Sequence, residues 1–242
     1  MRVFKRNKWS VVILDKLIIL PEMMECFDWH KQAKEAEKII CQYYEDVNFS
    51  AQKSISEVID IILHCKYKQI FLKSMERLKI EALYKSEVHG QEHIERVCIL
   101  AAYLGIQLNV TEYLFELCME AAKYHDIGRC DDSEDRLHGQ RGSRYIPKVC
   151  ESFSEWDCEM IAAVVEAHSL LDEEAGAVFG KYKLLGKADF GMYQQILYII
   201  KDADALDRFR LTDHSLNVKF LRLPESLYLV QAACEMNHSS LR

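Results

Sequence analysis

Hydrophobic residues recur at three- and four-residue spacing in four segments between residues 92 and 210. The segments are EHIERVCILAAYLGI, TEYLFELCMEAAKYHD, SEWDCEMIAAVVEAHS and YQQILYIIKDADALDRFR. This spacing places apolar side chains on one face of an α-helix, so the pattern predicts four amphipathic helices. Thr111 and Ser154 are the predicted N-caps of the second and third helices, and Gly105 is the predicted end of the first.

The apolar stripes of these helices continue into ionisable side chains where further hydrophobic residues are expected. His125 and Asp126 end the second segment, His168 ends the third, and Asp204 and Asp207 lie on the stripe of the last. A buried carboxylate or imidazole that has no partner costs several kcal/mol. These groups are therefore expected to compensate one another or to bind an ion.

Residues 1–84 carry helical patterns of mixed charge, without an arrangement of side chains that suggests chemistry. We predict a helical N-terminal segment or lid there, followed by a second domain over residues 85–242. The first residues are basic and then apolar, as in a signal peptide. Asp15 and Lys16 interrupt the apolar run, however, and no cleavage motif follows it, so secretion is not expected.

The composition favours an all-α protein of the cytoplasm. Only 9 Gly and 3 Pro occur among 242 residues, which is too little turn material for an all-β fold. The formal net charge of −7 argues against a partner such as a nucleic-acid duplex. No apolar run is long enough to span a membrane. Nine scattered cysteines without CxxC spacing are typical of free thiols in a reducing compartment.

The inward histidines and aspartates have the chemistry of a metal centre. Imidazole nitrogen and carboxylate oxygen together suit divalent ions such as Mn, Fe, Zn or Mg. Six residues form the predicted ligand set, in which the last two provide for a second ion that shares Asp126: His93, His125, Asp126, Asp204, His138 and His168. A water molecule on such an ion is a nucleophile at neutral pH, and two cations would neutralise a phosphate substrate.

These motifs resemble those of the HD-domain superfamily of metal-dependent phosphohydrolases over roughly residues 85–210. The superfamily pattern is a histidine, a His-Asp pair and a distant aspartate, which EHIERV, AKYHDIGR and IKDADALDR match here. The resemblance implies an HD-domain helical bundle with an additional helical N-terminal segment. The usual D-x-x-D spacing aligns with Asp204 and Asp207, so Asp204 rather than Asp202 is the predicted last ligand.

Two further elements, RLHGQRGSRYI and VVEAHS, are similar to those of HD proteins that hold two metals. The resemblance implies that Asp126 bridges two ions, although single-metal occupancy also occurs in the superfamily. The combination resembles uncharacterised bacterial HD phosphohydrolases most. It is more distantly similar to the phosphodiesterase domain of SidE-type effectors, which also opens with H-G-x-x-H and whose corresponding histidine is catalytic. This similarity draws attention to His89.

Three residues are predicted to act in catalysis: Asp126, His89 and Arg141. Asp126 would hold the metal, while His89 would protonate the leaving oxygen or hold a phosphate oxygen. The alternative for His89 is a helix-start histidine that faces solvent. Arg141 and Arg144 would clamp a phosphate through their guanidinium groups, unless both are exposed surface arginines.

Other side chains are expected to support the metal centre from behind. Arg96 is expected to pair with a carboxylate inside the bundle. Glu166 and Asp207 are candidate partners that orient the histidines.

The leading functional hypothesis is hydrolysis of a phosphomonoester or phosphodiester bond in a nucleotide or a related small phosphorylated metabolite. A second hypothesis is a catalytically silent HD module that binds a nucleotide and regulates a partner, although the intact ligand set argues against it. A third is a di-iron oxygenase on the same fold, which the ligand set alone leaves open. Phosphate release with Mn or Mg would support hydrolysis, whereas bound iron with oxygen consumption would support oxidation.

Overall fold

Eleven α-helices form the part of the chain that the computed structural model describes, residues 29–182 and 186–240, and no β-strand occurs in these ranges. The all-α prediction is therefore confirmed. Residues 1–28, which include the run that is similar to a signal peptide, lie outside the described residues. The helices are α1 Trp29–Tyr43, α2 Ile55–His64, α3 Lys68–Glu76, α4 Gln91–Gln107, α5 Glu112–Tyr124, α6 His138–Ser143, α7 Ile146–Val149, α8 Glu155–Ala167, α9 Asp172–Phe179, α10 Lys187–Leu206 and α11 Val230–Ser240.

Helices α4, α5, α8 and α10 form the centre of the bundle. α4 packs on α5, α10 packs on both of them, and α8 packs on α5 and α6. Their inward faces are fully buried at Leu100, Phe115, Val164 and Ile199. The four predicted amphipathic stripes thus meet in one hydrophobic core, and their polar ends meet at one side of it.

The N-terminal helices pack directly on this bundle: α2 contacts α4, α3 contacts α5, and α1 contacts the last helix, α11. Their buried residues Ile40, Ile55 and Phe71 belong to the same hydrophobic cluster as those of α4 and α5. The predicted division into residues 1–84 and 85–242 remains a prediction. In the described ranges, no helix combines the length and the apolarity needed to cross a membrane.

Local capping confirms two of the three predicted helix boundaries. The Thr111 hydroxyl accepts a hydrogen bond from the Leu114 amide at 3.1 Å, and Ser154 caps α8 in the same way. The prediction that Gly105 ends α4 is wrong, because the helix continues to Gln107. Asn109 adopts the left-handed conformation with φ 45°, and the Val110 amide donates to the Gly105 carbonyl, which closes the helix two residues later.

Candidate metal centre

The six predicted ligands converge at one end of the central helices. His93 lies in the first turn of α4, His125 and Asp126 directly follow α5, and Asp204 lies in the last turn of α10. His138 begins α6 and His168 directly follows α8. All of these side chains are buried except that of Asp204, which is 33% exposed.

The first half of the cluster joins His93, His125 and Asp204 to one oxygen of Asp126. His93 Nε2 lies 3.1 Å from His125 Nε2, 3.4 Å from Asp126 Oδ2 and 3.5 Å from Asp204 Oδ1. Ligands that bind one ion at about 2.1 Å lie about 3.0 Å apart in octahedral geometry and about 3.4 Å apart in tetrahedral geometry. His125 Nε2 lies farther from the carboxylates, 3.8 Å from Asp126 Oδ2 and 4.0 Å from Asp204 Oδ1. His93, His125 and Asp204 are thus close enough together to hold a metal ion.

The second half uses the other oxygen of Asp126. Asp126 Oδ1 lies 3.0 Å from His138 Nε2 and 3.5 Å from His168 Nε2, and the two imidazole nitrogens are 2.8 Å apart. The two carboxylate oxygens of Asp126 thus face two separate groups of histidines. This is the arrangement that a carboxylate needs to bridge two ions.

The orientation of each imidazole is fixed from behind by a hydrogen bond at Nδ1. Main-chain carbonyl groups accept in three cases and a carboxylate in the fourth: Ala122 for His125, Val165 for His168, Asp135 for His138 and Asp207 for His93. A carbonyl oxygen can only accept, so Nδ1 carries the proton in those three rings. In a neutral ring, Nε2 is then an unprotonated acceptor.

Burial favours the neutral form of two of these rings. It lowers the pKa of His125 to about 3, although the nearby Asp126 charge opposes the shift, and it also lowers the pKa of His168. The unprotonated Nε2 of His125 lies 3.1 Å from His93 Nε2, and that of His168 lies 2.8 Å from His138 Nε2. A divalent cation between the nitrogens of each pair would bind both, so the donor set fits a divalent metal.

The charge of Arg210 favours the ionised form of Asp204. Burial alone would raise the pKa of this carboxyl, but the nearby guanidinium opposes burial and the pKa is lowered. Among the described residues, two groups could hold a metal ion, one made of His93, His125 and Asp204, the other of His125, Asp126 and His168.

Behind the first histidine, Asp207 and Arg96 form a buried ion pair. The Arg96 guanidinium donates to the Asp207 carboxylate at 2.6 and 3.1 Å, and His93 Nδ1 donates to the same carboxylate at 2.7 Å. The predicted pairing of Arg96 and the predicted contact of Asp207 are both confirmed. The corresponding prediction for Glu166 is wrong, because its carboxylate accepts from Lys181 and Tyr182 instead of a site histidine.

His89 lies in the turn before α4 and is buried, so it does not face solvent. Its ring centroid is 5.9 Å from that of His93, and its Nδ1 lies 2.9 Å from Asp132 Oδ1. Burial lowers the pKa of His89 even though the Asp132 contact opposes this shift. The neutral ring therefore presents Nε2 as an acceptor, which favours proton acceptance over the predicted proton donation.

Arg141 contacts the loop before α6. Its guanidinium donates to the Asp135 carboxylate and, at 3.0 Å, to the Gly128 carbonyl, so contact with a phosphate would require that these bonds break. Arg144 is exposed. A role of either arginine in binding phosphate remains a prediction.

Two other arginines at the cluster were not predicted from the sequence. Arg129 Nε donates to Asp126 Oδ2 at 3.2 Å, and Arg210 Nη2 lies 3.6 Å from Asp204 Oδ1. Arg129 belongs to the HDIGR motif, so the sequence alone could have predicted that it lies beside Asp126. Arg210 follows the last motif in a charged stretch that is typical of an exposed helix end.

Two glycines allow the loop after Asp126 to approach the helices that carry the second pair of histidines. A Cβ atom at Gly128 would lie 2.1 Å from the His138 carbonyl oxygen, and one at Gly139 would lie 2.5 Å from the Val165 carbonyl oxygen. Any side chain at either position would push the backbone segments apart. The glycines of HDIG and HG thus bring His138 and His168 within reach of Asp126.

A cleft of about 530 Å³ opens beside the cluster. His168 and Asp204 line it together with residues of α9, α10 and the segment 215–222. Phe220, whose surface is 70% exposed, lies along the same cleft. A space of this size lies within the usual range of small-molecule sites.

The comparisons with known proteins give one match. The family model of the HD domain matches residues 90–208, a range that contains all six clustered ligands. No curated protein and no solved structure matches the chain. HD domains are generally metal-dependent hydrolases that bind divalent ions, and the geometry of the cluster agrees with this property. The chain belongs to the HD-domain superfamily of metal-dependent phosphohydrolases.

Proposed function

We propose that this protein hydrolyses a phosphomonoester or phosphodiester bond of a nucleotide or a related small metabolite. The observation that carries the proposal is the position of the two carboxylate oxygens of Asp126. One of its oxygens faces His93 and His125, while the other faces His138 and His168. The Nε2 atoms of all four imidazoles lie around one space, which would hold one or two divalent ions.

When bound, such ions would activate a water molecule as a nucleophile and offset the negative charge of a phosphoryl group. The protein's own residues would fix where this happens. His93, His125 and Asp204 would hold the first ion and His138 and His168 the second, with Asp126 shared between them. The carbonyl and carboxylate groups behind each ring would keep the imidazoles aligned, because they are already bonded to Nδ1.

The charges around the cluster support an anionic substrate. Each of three carboxylates lies beside a guanidinium group: Asp126 beside Arg129, Asp204 beside Arg210 and Asp207 beside Arg96. A divalent ion would add positive charge to this set of pairs, and a phosphoryl group would offset that charge.

The cleft supports a substrate of the size of a nucleotide. Its volume of about 530 Å³ lies within the usual range for small-molecule sites, roughly 300–1,000 Å³. Asp204 and His168 line the part that adjoins the cluster, and Ser215, Asn217 and Phe220 offer polar and aromatic contacts elsewhere. The scissile phosphate would lie at the cluster, and the remainder of the molecule would lie in the cleft.

His89 would act as a proton acceptor beside the reacting group. Asp132 holds its Nδ1 side, and its pKa is below the usual value, so Nε2 is unprotonated at neutral pH. It could accept a proton from the attacking water or bind a protonated phosphate oxygen. This assignment makes catalysis require the neutral form of His89.

The test is a substrate panel with the purified full-length chain. Phosphate or nucleoside release from nucleotides and from simple phosphodiesters is measured after reconstitution with Mn²⁺, Mg²⁺, Fe²⁺ or Zn²⁺. We expect metal-dependent turnover that a chelator abolishes. Oxygen consumption by the iron form without phosphate release would instead identify an oxygenase. Metal-dependent nucleotide binding without turnover would identify a regulatory module.

A further inference from the structure

Arg210 is a buried cation with unused hydrogen-bond donors. It ends the 3₁₀ turn Asp207–Arg210 that follows α10, and its side chain is only 7% exposed. Among the buried polar atoms of the described residues, its Nε and Nη1 have no hydrogen-bond partner. A buried N–H group without an acceptor is costly, so this arrangement is expected where a ligand supplies the acceptor.

The neighbouring carboxylates do not account for these donors. Arg210 Nη2 lies 3.6 Å from Asp204 Oδ1, and Nη1 lies 3.7 Å from Asp207 Oδ2, both beyond hydrogen-bond distance. Asp207 already accepts from Arg96, His93 and Asn237. Stabilising the Asp207 carboxylate therefore does not require Arg210.

The other two guanidinium groups near the cluster are engaged within the protein. Arg96 donates twice to Asp207, at 2.6 and 3.1 Å. Arg129 donates to Asp126 at 3.2 Å and to the Ser133 carbonyl at 3.1 Å. Arg210 differs from both, since two of its buried nitrogen atoms have no hydrogen-bond acceptor.

A cation 3.6 Å from Asp204 also repels any metal that Asp204 holds. An arginine at this position weakens metal binding unless an anion lies near both charges. A phosphoryl group has oxygens that can accept from a guanidinium and face a metal at the same time. The repulsion and the unused donors therefore point to the same ligand.

We propose that Arg210 binds the phosphoryl group of the substrate, and that the site prefers a dianionic phosphate, as in a phosphomonoester or a terminal phosphate, over the monoanion of a phosphodiester. This inference rests on the proposed function and deepens it. A phosphate dianion carries twice the charge of a diester monoanion, so it is attracted more strongly to the Arg210 guanidinium and to a divalent ion. It also has three terminal oxygens instead of two, so it can accept from Arg210 and still face the metal.

The test measures equilibrium binding rather than turnover. Inorganic phosphate at pH 8 and dimethyl phosphate are titrated by calorimetry into the metal-loaded wild-type protein, Arg210→Gln and Arg210→Lys. Arg77→Gln is the matched control, because Arg77 is exposed and lines a different pocket with Lys79 and Glu151. Metal affinity is measured for each variant in the absence of phosphate.

We expect the wild-type protein to bind phosphate more tightly than dimethyl phosphate. Arg210→Gln should weaken phosphate binding by about 10- to 100-fold, the loss typical of a hydrogen bond to a charged group. The phosphate affinity of Arg210→Lys should lie between those of the wild type and Arg210→Gln, since one ammonium replaces a planar group of donors. Arg77→Gln should bind phosphate as the wild type does. Metal affinity should be equal or higher in Arg210→Gln, because a repelling charge is gone.

Wild-type phosphate affinity in Arg210→Gln would overturn the inference. Loss of metal in that variant would also overturn it, since it would mean that Arg210 serves to position Asp204. A wild-type protein that hydrolyses phosphodiesters but binds dimethyl phosphate at least as well as phosphate would refute the dianion preference and leave the proposed function intact. Absence of turnover on the whole substrate panel would refute the proposed function itself.

Discussion

Two aspartates of α10, Asp202 and Asp204, are separated by one alanine and have opposite surroundings. Asp202 is fully buried and accepts from the amides of Arg222 and Leu223 and from the Ser226 hydroxyl, all at 2.8 to 3.0 Å. Asp204 faces the histidine cluster, where His93 Nε2 at 3.5 Å and His125 Nε2 at 4.0 Å are its neighbours. Burial lowers the pKa of His125 and its Nδ1 donates to the Ala122 carbonyl, so its Nε2 is unprotonated and cannot donate to Asp204.

The difference separates a structural polar network from a binding site. Around Asp202, donors meet acceptors, and Arg222 links Asp202 to Asp172, which in turn binds Lys201. Around Asp204, His93 Nε2 and Arg210 Nη2 lie at 3.5 and 3.6 Å, and Arg210 keeps two buried donors without an acceptor. The polar groups around Asp202 are satisfied within the protein, whereas those around Asp204 fit a ligand. The two aspartates also differ in burial, since the side chain of Asp204 is 33% exposed and that of Asp202 is fully buried.

The largest expected effects come from replacing each of these two residues by alanine. Asp204→Ala should weaken metal binding and lower hydrolysis by about 10³-fold or more, because a ligand is lost. Asp202→Ala should keep its metal but lower the free energy of unfolding by about 3–5 kcal/mol, because Arg222 loses a buried partner. Metal analysis and urea denaturation separate the outcomes. Equal metal loss in both variants would contradict the distinction.

Replacing His89 tests whether catalysis depends on a residue that does not bind the metal. His89→Gln should lower kcat by about 10²- to 10⁴-fold, as expected for a lost general base, and should leave the metal content unchanged. Asp132→Asn is the companion variant, because it removes only the charge behind the ring and should have a smaller effect on kcat. Unchanged turnover in His89→Gln would remove this residue from the catalytic set.

Asp207 shares a feature with each of these two aspartates. Its carboxylate has hydrogen-bond donors within the protein, as that of Asp202 does, and yet it contacts a candidate metal ligand. Asp207→Asn should weaken metal binding by about 10- to 100-fold, because His93 loses the carboxylate that orients its ring. Asn237→Ala, which removes one neutral donor to the same carboxylate, should bind metal as the wild type does. Metal titration of both variants measures the contrast, and equal affinities would contradict the orienting role.

The smallest effect is expected for Arg141. Its guanidinium is 35% exposed and pairs with Asp135, so Arg141→Gln should lower the free energy of unfolding by about 1 kcal/mol or less. Hydrolysis should stay within about threefold of the wild type, since the Arg141 guanidinium bonds to Asp135 and to the Gly128 carbonyl instead of to the cluster. An increase in KM of tenfold or more would instead support the predicted phosphate clamp at Arg141.

Much of the fold was predictable because the sequence features that define its helices act over short distances along the chain. The spacing of hydrophobic residues and the caps at Thr111 and Ser154 depend on neighbours within one or two turns. Gly105 shows the limit of this reasoning. It was expected to end α4, but it lies inside the helix, where a Cβ would be 3.0 Å from the Phe115 ring. Close packing between α4 and α5 therefore favours glycine at position 105, and this contact is evident only from the tertiary structure.

The site was predictable where a motif continued a helical stripe, as at His125, His168 and Asp204. Glu166 was misplaced because its partners, Lys181 and Tyr182, belong to a later segment. Arg210 was missed because the 3₁₀ turn after α10 changes the helical period and directs the side chain inward. The wall of the cleft over residues 215–222 has no periodic pattern, so nothing in the sequence places it beside Asp204.

The proposed function depends most on the binding of divalent metal by the His-Asp cluster. The direct measurement is the metal content of the wild type and of Asp126→Ala, by inductively coupled plasma mass spectrometry, after incubation with Mn²⁺, Fe²⁺ or Zn²⁺ and removal of unbound ions. We predict one or two ions per wild-type chain and a near-complete loss in the variant, because Asp126 contacts both groups of histidines. A wild type that retains no metal, or an Asp126→Ala protein with the full content, would contradict the account.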